Sequence, residues 1–163
     1  MKKIFVMSVV FIGLGISANA QNKWFETYTD STLLTRDANE IIQQFALKIG
    51  QLNPDIKLND IKAIKNTTPY LIFINNSVTV NLPFWEEMIP QQKEFFTEMG
   101  GGISEGKEIF GLFFNGFYLV HELGHSFFTN TGKEYDNAYD GEYDANIVGI
   151  LYWKIAGEER NES

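Results

Sequence analysis

The stretch 29–52, TDSTLLTRDANEIIQQFALKIGQL, repeats apolar side chains at helical spacing: Ala38, Ile41, Ile42, Phe45, Ile49 and Leu52. Asp37 with Glu40 three residues on makes a capping-box-like start, and Asn53-Pro54 a stop. The pattern predicts a helix over about 37–51, buried on that face. The period then changes. IKAIK (61–65), YLIFI (70–74) and VTVNL (78–82) are β-branched or aromatic and are separated by turn-forming NTTP and NNS, which predicts a small antiparallel meander. PFWEEM suggests one or two helical turns, and a further helix should run from Pro90 to about Met99. Gly100-Gly101-Gly102 breaks it. Ser104 is a candidate cap for the next helix, over about 105–128, within which IFGLFFNGFYLV is apolar on every side. Such a helix should be central and buried, and twelve such residues are too few to span a membrane. TNTGKEYDNAYDG suggests a loop, Asp140 a cap, and 141–156 a last helix ended by Gly157. Together these elements predict an α+β fold.

The first twenty residues change the picture of where this domain works. Lys2 and Lys3 precede a thirteen-residue apolar run (4–16), and Ala18-Asn19-Ala20 has the small-x-small form of a signal-peptidase site. The run is short of the roughly 20 apolar residues of a membrane span. We therefore expect 1–20 to be a signal peptide and 21–163 a single exported domain, periplasmic or secreted, with no stable membrane anchor after cleavage. Losing the two lysines takes the formal charge from −8 to −10, which argues against nucleic acid as a partner. With no cysteine in an exported chain, packing or a bound metal has to provide what disulfides otherwise would.

The chemistry is concentrated in LVHELGHSFF (119–128), which holds both histidines of the chain. Random placement would produce H-E-x-x-H with a probability of order ~0.001. On a helix, His121 and His125 lie one above the other and can present two ring nitrogens to one ion. Glu122 is rotated by about 100°, beside the ion, where it suits a base that takes a proton from an attacking water. Burying it in so aromatic a helix without a task would be costly. Zinc needs a third protein ligand, and no other histidine exists. Thr131 and Phe128 stand where the extended metzincin pattern has histidine and glycine. Glu134, Asp136, Asp140, Glu142 and Asp144 remain. Glu142 is the choice, with Asp136 the runner-up: Glu142 opens a helix face continued by Asn146, which can bond the far ring N–H of a ligating histidine. Asp140 is better used as a cap, and Asp144 points off that face.

HELGH followed by EYDAN resembles the gluzincin zinc peptidases, and among them E-x-x-A-N is similar to the ImmA/IrrE-type metallopeptidases. The resemblance covers about a quarter of the chain, 118–153. It implies a zincin-like fold, a small antiparallel sheet packed on a central HExxH helix and a C-terminal ligand helix. It further implies one Zn2+ per chain on His121, His125 and Glu142, Glu122 as general base, Asn146 supporting a ligand, and a peptide or protein as substrate. A donor for the developing oxyanion is not evident. Tyr118, Tyr135, Tyr139 and Tyr143 are near in sequence, and the 78–83 strand could hold substrate as a sheet edge. The rival expectations are a zinc-stabilised binding domain of zincin fold without turnover, and a structural domain with no metal.

Overall fold

A computed structural model describes residues 27–67, 73–75 and 78–161. The expected leader, 1–20, lies outside the described residues. Among the described residues five α-helices and three strands follow one another: α1 (Ser31–Leu52), β1 (Lys62–Lys65), β2 (Phe73–Asn75), β3 (Thr79–Leu82), α2 (Pro90–Gly100), α3 (Ile103–Phe110), α4 (Leu119–Asn130) and α5 (Ala138–Asn161). A single 3-10 turn, Trp85–Glu87, precedes α2, as the PFWEEM segment suggested. Among the described residues no helix is long and apolar enough to cross a membrane.

α1 begins six residues earlier than expected. Asp30 is its cap, accepting from the Thr32 N–H at 2.7 Å. Asp37, expected as the start, is inside the helix and buried, where its carboxylate takes the Tyr28 hydroxyl at 3.0 Å and the Arg36 guanidinium. The apolar face is the expected one, with Ala38, Ile41, Ile42 and Phe45 in the core, while Leu52 is exposed.

The sheet is mixed, not an antiparallel meander. Its order is β1-β3-β2, with β1 parallel and β2 antiparallel to β3. The reason lies in burial. Val80, Asn81 and Leu82 are consecutive and all buried, so both faces of β3 are covered, as a central strand requires. β1 instead alternates exposed and buried positions, the habit of an edge. Its outward backbone is blocked: the Asn39 side chain on α1 accepts from the Ala63 N–H at 2.9 Å and donates to the Ala63 carbonyl at 3.2 Å. At Ala63 one amide thus stands where the backbone of a neighbouring strand would. β3 is consequently not the edge that the sequence suggested for holding substrate.

From Ile103 to Asn130 the backbone is helical without a break, entered after Gly101 turns the chain at φ 76°. Ser104 lies within α3 and is not its cap; Gly102 holds that position. The middle, Gly111–Tyr118, is π-helical, an uncommon form that the sequence did not predict. Around it the rod passes between two apolar clusters. Phe110 and Phe114 pack with Trp85, Met88 and Phe96, whereas Leu119, Val120 and Leu123 join the main core with α1, the sheet and α5. The rod is not buried on every side, since Leu112 and Phe113 are exposed.

α5 starts at Ala138 and continues past Gly157 to Asn161, longer at both ends than expected. Asp140 is in its first turn. The preceding Asn137 accepts from the Asp140 N–H at 3.0 Å and donates to the Asp140 carboxylate at 3.0 Å, a reciprocal cap.

Candidate metal centre

α4 and α5 pack against each other where their smallest residues meet. A Cβ added to Gly124 would stand 3.0 Å from the Ala145 Cα and 3.2 Å from the Val148 Cβ. The glycine of HELGH and the alanine of EYDAN are therefore the contact that lets the two backbones approach. Gly149, one turn further along α5, leaves room for the Phe117 ring in the same way, at 3.1 Å from its own missing Cβ.

This approach brings Glu142 to the histidine pair. His121 and His125 present their Nε2 atoms 3.1 Å apart. Glu142 faces both rings, with Oε2 3.2 Å from His121 Nε2 and Oε1 3.3 Å from His125 Nε2. Two donors each bound to one ion at about 2.0–2.1 Å stand about 3.3–3.4 Å apart at the tetrahedral angle, so the spacing fits a small cation. Among the described residues these three form the cluster able to hold a metal ion. The donor set, two imidazoles and a carboxylate, suits zinc among other divalent first-row metals.

Protonation favours the same role. Asn146 Oδ1 lies 3.0 Å from His121 Nδ1, and as an acceptor it holds the ring proton there, leaving the Nε2 lone pair directed at Glu142 and His125. Burial pushes the His121 imidazole below its usual pKa and the neighbouring His125 adds to this, outweighing Glu142 and Asn146, which act in the opposite direction. His121 is accordingly neutral at pH 7, the form that ligates. Burial is graded across the cluster: the His121 side chain is 3% exposed, that of His125 27% and that of Glu142 59%. The group is rooted in the core on one side and open to solvent on the other, which leaves a position for a fourth, exchangeable ligand.

The other sequence candidates are placed elsewhere. Glu122 is buried on α4 at the position following His121, and its carboxylate is not among the three converging ligand groups. Asp144 pairs with Lys133 and accepts from the Tyr135 hydroxyl at 3.0 Å, while Asp140 is engaged with Asn137. Glu134 and Asp136 are exposed loop residues outside the cluster. Of the four tyrosines, Tyr135 is committed to Asp144, and Tyr139 and Tyr143 are exposed and stacked on each other at 6.5 Å. Only Tyr118 lies against a ligand ring, 5.1 Å from that of His121, with Phe117 at 6.2 Å. Phe117 was not anticipated as a neighbour of the site. The signal was available in its spacing, four residues before His121 on a helix. No family model, no curated protein and no solved structure matches this chain.

Proposed function

We propose that the protein is an exported zinc-dependent peptidase of the gluzincin kind, with one Zn2+ held by His121, His125 and Glu142. The observation that supports this most is the convergence of two imidazoles from α4 and a carboxylate from α5 at ligand spacing, with Glu122 buried at the position after His121 on α4. A zinc ion held by these three residues would supply Lewis acidity, to polarise a scissile carbonyl and make water acidic enough to react near neutral pH. Glu122 accepts the proton of the attacking water and returns it to the leaving amine. Asn146 keeps His121 in its ligating tautomer. Tyr118, whose ring rests on His121, is the tyrosine best placed among the four to act near the developing oxyanion.

An extended substrate pairs with β2 in this reading. β3 is internal and Asn39 occupies the outer side of β1 at Ala63, so β2 is the other strand paired with β3 alone among the described residues, and it lies beside α4. A site that served only to stabilise the fold would close with four protein ligands and has no use for Glu122.

The test is cleavage profiling on a mixed peptide library, wild type against Glu122→Gln. Defined cleavage sites that vanish in the variant, while about one zinc per chain is retained, support the mechanism. Cleavage that survives Glu122→Gln removes it.

A further inference from the structure

We propose that two copies of the chain pair antiparallel across α5, about a two-fold axis passing at Ile147. One face of α5 is left unused by the fold. Gly141, Ala145, Tyr152 and Ala156 turn one side of α5 into the core. At 100° per residue, Tyr139, Tyr143, Ile147, Ile150 and Leu151 share an arc of about 120° on the opposite side. All five are exposed, from 37% at Ile147 to 74% at Tyr139. A helix apolar on both sides needs a second covering.

Area and complementarity identify the occupant as another copy. The five side chains leave roughly 600 Å² accessible, most of the ~800 Å² that each partner buries in a standard interface and as large as the whole apolar patch of an ordinary monomer. The stripe runs on, past Leu151, into an apolar groove of about 210 Å³ that Leu52, Phe127 and Ile155 help to line. Its polar residues are self-complementary. Asp140 and Lys154 are both exposed and each stands seven residues from Ile147, in opposite directions. An antiparallel two-fold at Ile147 therefore sets Asp140 of one copy across from Lys154 of the other, twice, and Tyr143 across from Leu151. A parallel pair would instead oppose like charges. Lipid is the poorer occupant, because Lys154 is the single cation of the 138–156 segment and a headgroup-binding face is ringed by several. Glu142 and Asn146 lie about 100° round the helix from the centre of the stripe, so pairing leaves the metal cluster open.

The pairing is tested on the purified protein by sedimentation equilibrium between about 1 and 100 µM, the range in which interfaces of this size are distinguished. The expected result is a reversible species of twice the protomer mass, reduced to the protomer by Ile147→Glu with the helical circular dichroism unchanged. Asp140→Lys and Lys154→Glu should each weaken association by about tenfold or more, and the two together should restore it to within about threefold. A wild type that stays monomeric to about 100 µM overturns the proposal. So does a double exchange no tighter than its single parents.

Discussion

The close approach of α4 to α5 can be measured with one methyl group. In Gly124→Ala the new Cβ would meet the Ala145 Cα at 3.0 Å, the Val148 Cβ at 3.2 Å and the Ala145 carbonyl oxygen at 3.3 Å. Carbon atoms in packed interiors rest about 3.5–4.0 Å apart, so α5 has to retreat by roughly 0.5–1 Å or the contact remains strained. Overpacking of this kind costs about 1–3 kcal/mol. Against it stands a gain of up to about 1 kcal/mol, because alanine is the better helix former. Gly50 supplies the control. It lies in α1 with nothing within 4 Å of its missing Cβ, so Gly50→Ala takes the gain without the clash. The difference in unfolding free energy between the two variants isolates the steric part, and should be about 1–3 kcal/mol in urea titrations of metal-free protein. The retreat also moves Glu142, one turn before Ala145, away from rings now 3.2 and 3.3 Å from its oxygens. Zinc affinity should fall about tenfold, or ~1.4 kcal/mol, in Gly124→Ala and stay unchanged in Gly50→Ala. Two variants equal within about 0.5 kcal/mol and binding zinc alike would refute the close approach as what sets the ligand spacing.

Asn146→Ala removes the acceptor that fixes the His121 tautomer and should weaken zinc binding by about 10- to 100-fold, read by competition with a chelator, while the apo fold keeps its helicity. Asn39→Leu strips the β1 edge of the amide that bonds both Ala63 backbone groups. It should cost about 1–3 kcal/mol in urea unfolding and leave zinc affinity as it was. Stripping zinc with a chelator should lower the melting temperature, and readdition should restore it, because an ion that binds only the folded state stabilises it by mass action.

The candidate cluster was legible from sequence because each of its parts is local. His121 and His125 are one helical turn apart, and Glu142 and Asn146 are likewise one turn apart. The joining of the two halves was legible from elimination, since few carboxylates follow the histidines and only one opens a helix face that carries an amide. The order of the strands was not. Local pattern gives a strand's period and leaves its neighbours open, so the placement of β3 between β1 and β2, with Val80, Asn81 and Leu82 all buried, could not be read from its own residues. The meaning of Asp37 was missed for a related reason: Asp-x-x-Glu looks like a helix start, yet Asp30, seven residues before, is the cap, and Tyr28 folds back to hold Asp37 inside. The π-helical turn before the site has no local signature beyond Gly111 and Gly116 among aromatic residues.

That one ion is gripped by three side chains from two helices is decided by zinc-edge X-ray absorption on the zinc-loaded protein. The expected first shell holds two imidazoles and a carboxylate oxygen at about 2.0–2.2 Å with one further light ligand, at one zinc per chain. In Glu142→Ala the carboxylate contribution should vanish with both imidazoles retained. A wild-type protein that stays folded and zinc-free in excess metal, or a spectrum unchanged by Glu142→Ala, would contradict it.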